Sequence, residues 1–224
     1  MKLTSTETEC WRRCEAEFSD YIKLKGGWRD LSEENSDLVK RRNAISMEYY
    51  DKLHRNDEAY RLNNWLIEDI GLFSKFKYST LVEVGCGNGR FAAEVAKQTD
   101  KVIGLDWAKS PEFPIEIENL EFRQVDIVCA DIPQCDVLCS SDFLEHISPE
   151  NLEPLVKSFS TSSPNQYHVI ACYNDNHSHL TIMRPAAWLS LFKLYFPDAK
   201  LLNVQCRRNL SSNIICKIAA GQFI

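Results

Sequence analysis

Residues 81–96, with the sequence LVEVGCGNGRFAAEVA, decide the fold of this chain. The first four residues are apolar except for one acid, Glu83, and glycines then follow at the alternate positions 85, 87 and 89. From Phe91 onward, apolar and small residues recur at helical spacing. The pattern predicts a strand, a tight glycine turn and the N-terminus of a helix. Such a turn lets backbone N–H groups approach a ligand closely, because no Cβ intervenes.

The sequence after this stretch continues to alternate between strand and helix patterns. The predicted strands are residues 81–84, 102–105, 120–125, 136–139, 167–172, 199–204 and 213–218, and the predicted helices include residues 90–98 and 188–196. Strands that alternate with helices indicate a parallel sheet, whereas the last two strands have no helix between them and predict an antiparallel hairpin. We therefore predict an α/β fold with a seven-stranded, mostly parallel sheet, helices on both faces and a hairpin at one edge.

Residues 1–75 have a different pattern, which predicts helices without strands. Helical periodicity ends first at Gly26, and it is strongest over residues 58–70, with Gly71 as the predicted C-cap. We predict a helical N-terminal extension over residues 1–75 and a second domain over residues 76–224.

The composition argues against several classes of protein. No apolar run approaches the length of a membrane span, and the polar N-terminus does not look like a secretory signal. The net charge is −6 and the basic residues form only two short clusters, so we expect no nucleic-acid partner. Nine cysteines, several within apolar runs, indicate buried, reduced thiols and a cytoplasmic protein.

Acidic residues stand at the carboxyl ends of the predicted strands, where parallel sheets bind ligands. Asp106 lies 21 residues after Gly85 and closes the second strand, where an acid accepts hydrogen bonds from ribose hydroxyls. Asp126 closes the third strand and is placed to reach an adenine amino group. The ordered set predicts an adenosine-type ligand. The structural alternative is that the glycines only form a turn and the acids only cap helices.

Glu83 separates the two cofactor classes that contain adenosine. A nicotinamide dinucleotide usually requires the pattern G-x-G-x-x-G, whereas this chain has G-x-G-x-G with an acid two residues before the first glycine. A carboxylate there would repel a diphosphate. It suits a ligand with an ammonium and a sulfonium, provided that it faces the loop.

These motifs resemble the class I S-adenosylmethionine-dependent methyltransferases over roughly residues 79–220. The resemblance rests on E-V-G-C-G-N-G, V-I-G-L-D, V-D-I, S-S-D-F-L-E-H-I and the terminal hairpin. It implies a Rossmann-like fold, an enzyme that uses S-adenosylmethionine as its cofactor, and an N-terminal helical cap that closes over cofactor and acceptor. It also implies that the loop holds the methionine part, Asp106 the ribose, and Ser141 or Asp142 the amino-acid end. The implied cofactor-binding residues are Glu83, Gly85, Cys86, Gly87, Asn88, Gly89, Asp106, Trp107, Asp126, Ile127 and Ser141.

Two histidines and one acid are the candidates for the acceptor side. A hydroxyl acceptor must lose its proton, so a general base is expected near the methyl group. His146 follows the fourth strand, His179 follows the fifth, and Asp142 lies just after the fourth. We predict catalytic roles for all three. Each histidine also has a structural alternative: His146 could only orient its loop, and His179 could only satisfy a backbone carbonyl.

The segment after His179 resembles methyltransferases of sugar and surface-polysaccharide biosynthesis. The leading hypothesis is therefore methyl transfer to a hydroxyl of a small-molecule or glycan-type acceptor. The alternatives are N-methylation of a small molecule or protein, and a non-catalytic cofactor-binding partner subunit. Asp175, His177 and His179 have the chemistry of metal ligands. They are neighbours on one short loop with no distant partner evident, so we predict no metal.

Overall fold

The computed structural model describes residues 45–175, 178–207 and 213–224. The helices predicted before residue 45 lie outside these ranges. So do His177 and the turn between the last two strands.

Seven strands form one sheet: β1 (Thr80–Val84), β2 (Lys101–Asp106), β3 (Leu120–Gln124), β4 (Val137–Ser141), β5 (Gln166–Ala171), β6 (Lys200–Cys206) and β7 (Ile214–Ala220). The strand order is β3-β2-β1-β4-β5-β7-β6. Strands β1 to β5 pair in parallel, and β7 lies antiparallel between β5 and β6. The predicted sheet and hairpin are confirmed, and every strand boundary lies within two residues of its predicted position.

The order of the strands reverses at β1, which pairs with both β2 and β4. Val84 at the end of β1 is in register with Leu105 on one side and Ser140 on the other. The glycine loop that follows β1 therefore emerges between the ends of β2 and β4. A crevice at such a switch point is the usual ligand site of a parallel sheet.

Helices flank the sheet on both faces, as predicted. They are α1 (Met47–Asn56), α2 (Glu58–Leu62), α3 (Ile70–Phe73), α4 (Arg90–Ala96), α5 (Pro149–Ser162) and α6 (Pro185–Lys193), with 3₁₀ turns at Leu66–Asp69, Leu144–His146 and Gly221–Phe223. Two hydrophobic clusters make up the core, and β1 contributes Val82 and Val84 to one and Leu81 to the other. Since alternate residues of a strand face opposite sides, the clusters lie on opposite faces of the sheet.

The single helix predicted over residues 58–70 is wrong. Helix α2 ends at Leu62, the chain is extended at Asn63, and a 3₁₀ turn intervenes before α3. The carbonyls of Arg61 and Asn63 accept hydrogen bonds from Asn88 Nδ2, at 2.9 and 3.0 Å, instead of continuing a helix. Gly71 is likewise not a C-cap, because it lies inside α3.

Helix α5 is absent from the predicted elements although it has 14 residues. Its apolar face, Leu152, Leu155, Val156 and Phe159, is buried and has the spacing i, i+3, i+4, i+7. A proline at the first helical position is favourable, but Pro154 inside the helix interrupts the sequence pattern.

The segment before the sheet contributes to the domain core. Leu66 and Phe73 are fully buried, and the Phe73 ring lies 4.8 Å from that of Phe91 and 5.2 Å from that of Tyr167. No described helix is long and apolar enough to cross a membrane. Six cysteines of the described part are thiols. Cys206 is disulfide-bonded, which departs from the expectation of reduced thiols throughout.

Candidate functional site

A cavity of about 560 Å³ opens at the carboxyl ends of β1, β2, β3 and β4. Its volume is that of a site for a small molecule. The predicted cofactor-binding residues that line it are Glu83, Gly85, Cys86, Gly87, Asn88, Asp106, Trp107, Asp126, Ile127 and Ser141. The predicted catalytic residues Asp142 and His146 line it as well. Gly89 and His179 are not among the residues that line it.

The glycine loop has a backbone that side chains would strain. Gly85, Gly87 and Gly89 have φ values of +70°, +51° and +69°. A Cβ on Gly85 would lie 2.9 Å from Phe143, and one on Gly89 would lie 2.7 Å from Phe113. A Cβ on Gly87 would meet no atom within 4 Å. Because Gly87 lines the cavity, that open space is available to a ligand.

Asp106 joins the glycine loop to the end of β2. Its Oδ2 accepts a hydrogen bond from the Gly87 amide at 2.8 Å, and its Oδ1 accepts one from the Ala108 amide at 3.1 Å. Burial raises the pKa of the carboxyl, and these amides oppose that rise. Each carboxylate oxygen has two lone pairs, so further donors, such as ribose hydroxyls, can still bind.

Five residues on the cavity wall have a buried polar atom without a partner in the described part of the chain: His54, Asn64, Trp65, Glu83 and Ser141. Glu83 is 2% exposed and its Oε2 makes no hydrogen bond, and the Ser141 hydroxyl is also buried without a partner. Burial, and then the nearby Asp106, raise the pKa of Glu83 well above its ordinary value. A buried polar atom without a partner is costly unless a ligand completes it. Together with the open space at Gly87, Glu83 and Ser141 fit the amino-acid part of the implied cofactor.

Asn88 attaches the glycine loop to the preceding segment. Its side-chain nitrogen donates to two carbonyls of that segment, and its oxygen accepts from the Arg90 amide at 3.1 Å. The next wall of the cavity comes from Tyr50, His54 and Tyr60 in α1 and α2. The motifs do not identify His54 or Tyr60, because they belong to the N-terminal segment.

His146 and His179 meet beside the cavity, with ring centroids 5.0 Å apart. The Nδ1 of His146 bonds the Ser178 carbonyl at 3.1 Å, and that of His179 bonds the Tyr173 carbonyl at 2.6 Å. Burial, and then His179, lower the pKa of His146 to about 4, so its imidazole is neutral at physiological pH. Of the two rings, His146 forms part of the wall, and His179 lies behind it.

Two charged side chains near the cavity, Arg207 and Glu145, are absent from the predicted site residues. Arg207 forms a 2.8 Å ion pair with Asp142, which has a φ of +49°, and its guanidinium stacks 4.2 Å from the Trp65 ring. Glu145 is fully buried and its Oε1 accepts from the Ala171 amide at 3.1 Å. Its position directly before His146 was the available signal. Arg207 had none, because it lies 65 residues after Asp142.

Comparison with known proteins shows similarity over most of the chain. A family model described as "Methyltransferase domain" matches residues 28–210. The ubiquinone biosynthesis O-methyltransferase of Pseudomonas fluorescens is 26% identical over 117 residues, which cover 46% of this chain and 49% of the relative. The chain therefore spans about half the length of the curated relatives that it matches.

Solved structures share the fold, among them two N-methyltransferases. The N-methyltransferase NodS of Bradyrhizobium japonicum, in complex with S-adenosylhomocysteine, has a TM-score of 0.59 at 13% identity, covering 79% of this chain and 98% of that one. The 1,6-didemethyltoxoflavin-N1-methyltransferase of Burkholderia thailandensis has a TM-score of 0.62 at 11% identity, covering 85% and 93%.

Proposed function

The chain belongs to the S-adenosylmethionine-dependent methyltransferase family, and from this premise we propose that it methylates a hydroxyl of a small-molecule or glycan-type acceptor. The observation that carries the proposal is one continuous cavity. Its wall contains the glycine loop and Asp106, which belong to the family's cofactor motifs, and also His146. Cofactor and acceptor can therefore share one cavity.

The cofactor end is formed by groups with complementary chemistry. Glu83 Oε2 and the Ser141 hydroxyl would bind the amino-acid part, Asp106 the ribose hydroxyls, and Asp126 with Ile127 the adenine. When bound, S-adenosylmethionine supplies an electrophilic methyl group on a sulfonium sulfur. The chain's own contribution is to orient this group and to exclude water, which are the main sources of catalysis in such a displacement.

The acceptor end requires a way to remove the hydroxyl proton. A carbonyl oxygen can only accept, so the Nδ1 of His146 carries the hydrogen in its bond to Ser178 O, and Nε2 keeps its lone pair. That lone pair can take the proton while the acceptor oxygen forms its bond to carbon. The histidine supports an oxygen acceptor, because a neutral amine does not need to be deprotonated before it attacks.

The direct test has two measurements on the untagged chain. Calorimetric titration with S-adenosylhomocysteine should show binding, and labelled S-adenosylmethionine should release its methyl group to hydroxyl compounds in a panel of sugars and amines. Methyl transfer to amines alone would contradict the proposed O-methylation and indicate N-methylation, which is the activity in the names of the two solved structures. Cofactor binding without any transfer across the panel would favour a non-catalytic partner subunit.

A matched pair of variants tests the role of His146. His146→Gln should lower kcat by roughly 100-fold or more, as expected for loss of a general base, with an unchanged affinity for S-adenosylhomocysteine. Asp131→Ala, which alters an exposed acid that does not line the cavity, should leave both values unchanged. An unchanged kcat in His146→Gln would contradict the role in proton removal.

A further inference from the structure

The residues behind the acceptor end of the cavity form a cluster with the chemistry of metal ligands. Glu145, His146 and His179 each offer one ligand atom, and these three atoms lie within 4.8 Å of one another. We propose that the three residues bind a divalent transition-metal ion, such as Zn²⁺, Co²⁺ or Mn²⁺. In the sequence, the loop of Asp175, His177 and His179 had no further metal ligand from a distant part of the chain. In the fold, Glu145 and His146 lie next to His179 and can be those ligands.

The carboxylate of Glu145 is the strongest sign that the cluster binds a ligand. Its side chain is fully buried, and only Oε1 is used, by the Ala171 amide. Oε2 is buried without a hydrogen-bond partner in the described part of the chain. The nearest imidazole nitrogen, His179 Nε2, is 4.0 Å from Oε1, which is too far for a hydrogen bond. A cation would complete this group.

Both histidines are held in the tautomer that a metal requires. The Nδ1 of His146 faces the Ser178 carbonyl, and that of His179 faces the Tyr173 carbonyl. Each Nδ1 therefore carries the hydrogen, which leaves the lone pair of each Nε2 available. Hydrogen bonds of this kind to backbone carbonyls are the usual support of metal-binding imidazoles, because they fix both the tautomer and the ring orientation.

The donor set decides the class of ion. Two imidazoles with one carboxylate suit first-row transition ions, whereas Mg²⁺ and Ca²⁺ favour sites made of oxygen alone. With metal–ligand bonds of about 2.0–2.2 Å, tetrahedral ligand atoms lie about 3.4 Å apart. The ligand atoms that are now up to 4.8 Å apart would have to approach one another by up to about 1.4 Å. Three protein ligands leave at least one position open for water or substrate.

The open position gives the site a role, and this role rests on the proposed function. His146 lines the cavity, so an ion that it binds adjoins the space for the acceptor. A metal ion lowers the pKa of an oxygen that it binds and orients that oxygen for attack. In the metal-bound protein, the proton of the hydroxyl would pass to solvent, and His146 would act as a ligand instead of a base. The existence of the site does not depend on this role.

The experiment measures metal binding directly on the untagged chain of 224 residues after treatment with a chelator. Zn²⁺ is titrated by calorimetry, the bound ion is counted after dialysis, and Co²⁺ is followed by its visible absorption. We expect one ion per chain. Glu145→Gln keeps the acceptor for the Ala171 amide but loses the charge. Glu145→Gln and His179→Ala, each as a single variant, should weaken Zn²⁺ binding by more than about 100-fold, since even loss of an outer partner costs 10–100-fold. His54→Ala, which alters another buried histidine of the same cavity, should bind Zn²⁺ with the affinity of the wild-type chain.

The outcomes separate the site from the proposed function. Absence of metal binding by the folded wild-type chain, or equal binding by all variants, would overturn the site. If S-adenosylhomocysteine still bound in that case, the proposed methyl transfer would stand with His146 as base. Thermal unfolding of each variant, with and without Zn²⁺, shows whether it is folded. Stabilisation by Zn²⁺ in wild type and His54→Ala, but not in a folded Glu145→Gln, supports the site.

Discussion

At the scale of single residues, the site is marked by polar groups that the fold buries without a partner. Glu83 and Ser141 on the cavity wall and Glu145 next to His146 each have a buried oxygen that makes no hydrogen bond in the described part of the chain. Burying such atoms costs stability, so their concentration around one cavity indicates a site that its ligands complete.

Replacing Asp106 tests the cofactor end. Asp106→Ala removes the acceptor of the Gly87 and Ala108 amides and the proposed ribose ligand, so the affinity for S-adenosylhomocysteine should fall by roughly 10- to 100-fold, or about 1.4–2.7 kcal/mol. Calorimetric titration measures it, with Asp131→Ala as an exposed control. An unchanged affinity in a folded Asp106→Ala protein would mean that other residues bind the ribose.

The lowered pKa of His168 should make the free energy of unfolding depend on pH. This histidine lies fully buried between Ser140 and Gln166, and burial lowers its pKa to about 3. The unfolded chain binds a proton near pH 6.5, so between pH 6.5 and 3 the unfolded state holds more protons than the folded state. The free energy of unfolding should therefore fall as the pH falls, by up to about 1.4 kcal/mol per pH unit from this residue. Above pH 6.5 its contribution is fully present.

Urea unfolding at a series of pH values measures this slope. His168→Gln has no titrating ring at this position and should show a shallower acid slope than wild type, whatever its stability at neutral pH. The other buried histidines contribute to both proteins and cancel in the comparison. Equal slopes would show that His168 does not stay neutral in the folded state.

Single residues could be predicted where a motif fixes their place. The glycines, Asp106 and Asp126 are set by short spacings along strands, and the sequence could therefore predict that they lie at the carboxyl ends of those strands. Arg207 and the pairing of Glu145 with His179 depend on contacts between residues more than 30 positions apart. No local pattern records such contacts, so the ion pair and the cluster of Glu145, His146 and His179 are visible only in the fold.

At the scale of elements, strands were predicted better than helices, and the reason is physical. A buried strand is a short apolar run, and its ends are marked by the polar residues of the crevice. Helix α2 ends because Asn88, about 25 residues away, binds the carbonyls that would have continued it. Helix α5 was missed because Pro154 lies within an otherwise regular apolar face. Tertiary contacts thus end helix α2 in spite of the local helix propensity. In α5, a proline that the helix tolerates interrupts the sequence pattern by which the helix could have been predicted.

The start of helix α4 offers a test at this scale. Gly89→Ala places a Cβ at positive φ and within 2.7 Å of Phe113, so we expect a loss of about 2–4 kcal/mol from backbone strain and overpacking. Gly71→Ala is the matched control, because it lies in α3 with no atom within 4 Å of the added Cβ. It should be neutral or stabilising by up to about 1 kcal/mol. Urea denaturation compares the two, and equal stabilities would contradict the strained turn.

At the scale of the whole molecule, the open question is where the N-terminal extension ends and the methyltransferase domain begins. The sequence predicts a boundary at residue 75. The core contacts of Phe73 and the ion pair between Asp69 and Lys217 of β7, at 2.7 Å, join residues 66–73 to the sheet. Tyr50 contacts the rim instead, with its ring centroid 6.1 Å from those of Trp107 and His146. We therefore infer that the functional boundary lies between α2 and the 3₁₀ turn at Leu66–Asp69.

Two substitutions on either side of that boundary should have opposite consequences. Phe73→Ala removes a fully buried ring from the core and should lower the free energy of unfolding by about 3–5 kcal/mol. Tyr50→Ala should change stability much less but weaken ligand binding by about tenfold, as expected for the loss of one aromatic contact. Urea denaturation and titration with S-adenosylhomocysteine, carried out on both variants, separate the two effects. If Tyr50→Ala lowered the free energy of unfolding as much as Phe73→Ala, α1 would belong to the folding core and the extension would not act as a cap. If Phe73→Ala lowered the free energy of unfolding only slightly, the boundary would lie at residue 75, as the sequence predicts.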